Sequence, residues 1–88
     1  MSHGIHHSLI DDVMDAYIAW REESAAVDSA YERWIAASSS DMVCAHAAYV
    51  AALDREERAS VGYEHTLRRS ELAHDRDRRR TTWLHNAA

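Results

Sequence analysis

Apolar residues recur along the first part of the chain at alternating steps of three and four. Positions 10, 13, 17, 20, 24, 27, 31 and 34 hold Ile10, Val13, Tyr17, Trp20, Ser24, Val27, Tyr31 and Trp34, so only Ser24 interrupts the pattern. Such spacing lines side chains along one stripe of an α-helix, and its mean step of ~3.5 residues suits the seam of left-handed helix pairs. A first helix is predicted over about residues 8–37. Ser8 is placed to cap it, and Asp11, Asp12 and Asp15 put negative charge in its first turns, where the helix dipole favours it. Residues 1–7, with His3, His6 and His7, read as a flexible leader.

A short repeat lies on that stripe. Val13-x-x-Ala16-Tyr17-x-x-Trp20 returns as Val27-x-x-Ala30-Tyr31-x-x-Trp34. The offset is two heptads, so both units share one face, about 21 Å apart along the axis. Aromatic side chains at helical spacing are anchors for packing, with the Tyr hydroxyl and Trp indole N–H reaching the rim.

Ser38-Ser39-Ser40-Asp41 is the predicted turn, because serines compete with the helical backbone and favour caps. Ser38-x-x-Asp41 has the form of a capping box with Asp in place of Glu or Gln. A break this short folds the flanking helices back antiparallel. The second helix is predicted over about residues 41–80, with a stripe of Met42, His46, Tyr49, Leu53, Glu56, Ser60, Tyr63 and Leu67. Beside it runs a ridge of small residues, Ala45, Ala48, Ala52 and Ala59, suited to close helix approach. Asp54–Arg58, Glu64–Arg68 and Asp75–Arg79 are favourable i,i+4 pairs. Gly62 marks a predicted kink or end, and residues 81–88 read as a loosely ordered tail.

The fold class is therefore all-α: one domain, built as a two-helix antiparallel hairpin. Two helices leave much of an apolar stripe open, and 88 residues make a marginal core on their own. Pairing into a dimeric four-helix bundle is the expected remedy, with Ile10, Val13, Tyr17, Trp20, Val27, Tyr31, Trp34, Tyr49 and Leu53 as interface. A disulfide inside the chain is excluded, since Cys44 is the only cysteine, and a lone thiol suits a reducing, cytoplasmic setting.

Charge sharpens this picture. The chain carries 15 acidic and 10 basic residues, the latter all arginine, for a net charge of −5. A surface of that sign does not suit phosphate backbones, so no nucleic-acid partner is expected. No apolar run approaches the ~18 residues of a membrane span, and Met1–Ser8 has neither the apolar core nor the basic start of a signal peptide.

Candidate chemistry is sparse. Glu71 and His74 form a Glu-x-x-His pair on one helix face, as in carboxylate-bridged di-iron bundles. Such a site also needs carboxylates from a facing helix, where only Asp11 and Asp12 stand. No serine or cysteine sits in a nucleophile motif, no glycine loop cradles phosphate, and no cofactor is expected. The run Asp75-Arg76-Asp77-Arg78-Arg79-Arg80 reads as a solvated, ion-paired helix end.

The tandem Ala-Tyr-x-x-Trp units, with Ala48-Tyr49-Val50-Ala51-Ala52-Leu53-Asp54-Arg55-Glu56-Glu57, resemble short uncharacterised helical proteins of actinobacteria over residues 13–63. That resemblance implies no activity. In length, acidity and mid-chain turn the chain is also similar to the WXG100 family of secreted helical hairpins. Trp34-Ile35-Ala36 would be its tryptophan motif, with alanine in place of glycine, and the expected C-terminal tyrosine–acid export signal is not clean. The leading functional expectation is a non-enzymatic helical interaction or assembly module, a homodimer or one half of a complex with a protein partner. A metal-binding bundle and a WXG100-like secreted hairpin are the alternatives.

Overall fold

The computed structural model describes the backbone of residues 5–87 and the side chains of residues 9–84. Two helices account for nearly all of it: α1 (Ile5–Ala36) and α2 (Met42–Ala87). They pack antiparallel, and among the described residues there is no strand. The molecule measures 74 × 26 × 13 Å. Its thinnest dimension is that of a single helix, ~10–12 Å with side chains, so no third layer covers either face of the hairpin. Its radius of gyration is 20.5 Å. A compact domain of this length would have ~12 Å.

Both helices extend past the predicted bounds. α1 already includes Ile5, His6 and His7 of the predicted leader, while residues 1–4 lie outside the described residues. α2 continues through Gly62 and on past Arg80 to Ala87. The physical reason is the absence of proline and the shortage of other breakers. One glycine costs only ~1 kcal/mol against the propagation of a long helix. Gly62 has ordinary helical backbone, and a Cβ built there meets nothing within 4 Å. Gly62→Ala should accordingly raise stability by about 0.5–1 kcal/mol, read as a higher thermal midpoint by circular dichroism.

The turn lies at the predicted serines. The Ala37 amide bonds to the Trp34 carbonyl (3.2 Å), and the Asp41 amide to that of Ser38 (3.0 Å). The Asp41 carbonyl accepts the Ala45 amide at 2.9 Å, the first bond of α2, which makes Asp41 the N-cap residue. Ser38 donates its hydroxyl to the Asp41 carboxylate at 3.1 Å, so these two side chains brace the turn together. The cap falls on Asp41, the last residue of the predicted box, and not on one of the serines.

The line of contact between the helices is rotated by about one residue from the predicted stripes. On α1 the inward positions are 9, 13, 16, 20, 23, 27, 30 and 34, all buried or half-buried. Tyr17 and Tyr31 flank this line and stay 40% and 46% exposed. On α2 the line is 45, 49, 52, 56, 59, 63, 66, 70 and 73, and Met42, His46 and Leu53 lie outside it. Alanine sets the rotation. Ala30 and Ala52 are the only two fully buried hydrophobic residues among those described, 5% and 1% exposed. Small side chains let the backbones approach, which leaves Tyr17 and Tyr31 beside the line.

Candidate interaction face

The contact line divides the hairpin into two unlike edges. Along one, the heptad positions bring alanine and other small residues together, and arginines of α2 reach across to acids of α1. Arg55 bonds Glu23 and Arg69 bonds Asp12, each at 3.4 Å. These pairs are solvent-exposed and add little energy, but they cover that edge with charge.

The other edge holds the aromatic repeat. Each unit of α1 receives one tyrosine of α2. Tyr63 stacks on Trp20 with ring centroids 5.6 Å apart and planes at 12°, and Tyr17 leans on Tyr63 at 5.5 Å. Fourteen residues on, Tyr49 stacks on Trp34 at 5.3 Å and 22°, with Tyr31 at 5.7 Å from it. His46 joins the second cluster, 4.7 Å from Trp34. Offset stacking and edge contacts of this kind each contribute ~0.5–1.5 kcal/mol beyond area burial. The repeat of α1 is thus answered in α2, where Tyr49 and Tyr63 are themselves fourteen residues apart. One polar bond distinguishes the clusters: the Trp20 indole N–H donates to Glu56 Oε2 at 2.7 Å in a partly buried setting.

Of the expected interface residues, the structure brings Val13, Trp20, Val27, Trp34 and Tyr49 onto the contact line inside the hairpin, where they are half-buried. Ile10, Tyr17, Tyr31 and Leu53 remain exposed along its aromatic edge. A single chain therefore shields the two tryptophans of α1 in part and leaves Tyr17 and Tyr31 40% and 46% exposed. Met14, Ile18, Ile35 and Val50 are further exposed apolar residues outside the expected set. Tyr63 and Glu56 are on the predicted stripe of α2 yet outside the expected site; the fourteen-residue spacing of Tyr49 and Tyr63 is a signal for Tyr63, and Glu56 has none.

The candidate metal pair stands apart from this face. Glu71 and His74 are exposed, and they border an open depression with Leu72, Asp75 and Arg78. Among the described residues no group of three or more His, Cys, Asp or Glu is placed to hold a metal ion. Asp12, one of the two acids that would complete such a site, is engaged by Arg69. The acid–base run beyond it pairs as its spacing predicts, with Asp75 meeting Arg78 at 3.0 Å and Arg79 at 3.1 Å. The hydrogen bond from Arg78, then the charge of Arg79, hold the Asp75 carboxyl below its usual range. No described helix is long and apolar enough to cross a membrane. Compared with known proteins, the chain matches no family model, no curated sequence and no solved structure.

Proposed function

We propose that this chain is a non-enzymatic helical assembly module that acts as a homodimer, two hairpins forming a four-helix bundle. The observation that carries this reading is the mismatch between core and surface. Two alanines are the whole of the fully buried hydrophobic core among the described residues, while Ile10, Met14, Tyr17, Tyr31, Ile35 and Leu53 stand open. A compact monomer of this mass exposes about 5,200 Å². This chain exposes 7127 Å². The surplus of roughly 1,900 Å² per chain lies in the range that obligate homodimers bury. Burial of the aromatic edge would return apolar area at ~25 cal/mol per Å² and supply the stability that a one-helix-thick hairpin lacks.

Sedimentation equilibrium or light scattering at tens of micromolar tests this directly. The expected mass is twice the 10.0 kDa of the chain. A 10 kDa particle that still melts in one sharp transition would show that the hairpin suffices alone.

A further inference from the structure

The open edge of α1 carries a pattern that specifies how a second copy sits on it. Beside the contact line runs the row Tyr17, Ser24, Tyr31, one residue every two turns. The next row outward is Met14, Arg21, Asp28, Ile35, with Met14 and Ile35 53% and 65% exposed. Both rows share one centre. Over residues 17–31 the first reads the same in either direction about Ser24, and Ile10 continues it at one end only. The second places apolar residues at both ends and opposite charges at equal distances from the level of Ser24 and Ala25.

We propose that α1 packs antiparallel on α1 of a second copy, about a two-fold axis perpendicular to the helices at Ser24–Ala25. This rests on the dimer reading above and adds its face, register and pairing. In an isologous contact, residue i meets j and j meets i. Around this axis Tyr17 meets Tyr31 of the copy, Met14 meets Ile35, and Arg21 meets Asp28, each twice. Ser24 crosses its own counterpart, and its small side chain allows the close approach that packed helices need. Neither Arg21 nor Asp28 has an ion-pair partner among the described residues of the hairpin, so both charges are available. Parallel packing of the two helices would instead oppose arginine to arginine and aspartate to aspartate.

The second helix agrees with this axis. Its row on the same edge, His46, Leu53, Ser60, Leu67, His74, also reads the same both ways, about Ser60. The stacked pairs Trp20–Tyr63 and Trp34–Tyr49 place Ser60 within about one turn of the level of Ser24. Glu57 and Glu64 lie in the next row of α2. This axis would set Glu57 of one copy against Glu64 of the other, although Glu64 is paired with Arg68, so the opposed pairs of α1 define the contact.

Charge exchange and cross-linking test the register. Arg21→Asp sets two like-charge pairs across the axis and should weaken dimerisation about tenfold or more, measured by dilution in sedimentation. Asp28→Arg should do the same. The double exchange R21D with D28R should recover most of the affinity, because it restores both pairs in reverse. In a C44A background, S24C should form a covalent dimer with a short thiol cross-linker. The unaltered protein should not do so through Cys44, since an antiparallel pair holds the two turns at opposite ends. A dimer that ignores the exchanges, or that links through Cys44, overturns this register and leaves dimerisation standing. A monomeric unaltered protein overturns both.

Discussion

Ala52→Leu should lower the thermal midpoint by about 10 °C or more, the largest effect expected of any single small-to-large change in the chain. Ala52 is 1% exposed and lies on the contact line at the level of Ala30, itself 5% exposed. Both positions carry only a methyl group and both are fully buried, so little room remains at that level for a larger side chain. Three added carbon atoms must either push α1 and α2 apart or force a strained rotamer, at a cost of typically ~1–3 kcal/mol. In a domain this small each kcal/mol moves the midpoint by ~4–8 °C. Separation would also lengthen the ring contacts that flank the line, so the loss spreads into the stacked pairs of Tyr49 and Tyr63. Ala48→Leu is the control: Ala48 is exposed on the same helix, and leucine is a good helix former. Far-ultraviolet circular dichroism on the two variants separates packing from propensity. Equal midpoints would mean that the alanines do not set the helix spacing.

The same alanines mark where sequence reasoning succeeded and where it stopped. The period of the apolar positions identified both helices, and the three serines before Asp41 located the turn, because both signals are local. The run of α2 beyond residue 80 was less legible. Arg78, Arg79 and Arg80 resemble a terminal charged segment, yet arginine propagates a helix well, and Asp75 pairs with the first two of them. The facing of each helix was the harder matter. A stripe drawn through the largest side chains passes through Tyr17 and Tyr31, whereas the line of buried and half-buried positions passes through Ala16 and Ala30. Hydrophobic size and inward position diverge whenever two helices meet at alanine distance, and only the partner helix decides which governs. The pairing of Trp20 with Glu56 belongs to this class too, since 36 residues separate the two and no local pattern joins them.

That pair carries the second large effect. Trp20→Ala should destabilise the hairpin by about 3 kcal/mol, the usual range for truncating a packed aromatic. The ring stacks on Tyr63 and contacts Tyr17, so its removal takes two of the three ring contacts from the Tyr17–Trp20–Tyr63 cluster. Trp20→Phe isolates the polar component, because it keeps a ring against Tyr63 and deletes the N–H. A hydrogen bond to a charged group contributes ~1.5–3 kcal/mol when protected from water, and this one is partly buried, so about 1–2 kcal/mol is expected. The internal repeat supplies the comparison. Fourteen residues before Glu56 stands Met42, which offers the Trp34 ring no carboxylate, and Trp34→Phe should therefore cost less than Trp20→Phe. Pairing Trp20→Phe with Glu56→Leu should recover part of the loss, since no carboxylate is then left without its donor beside the rings. Chemical denaturation of the four proteins closes a double-mutant cycle. Strict additivity would mean that the indole–carboxylate bond contributes nothing and that the cluster is held by stacking alone.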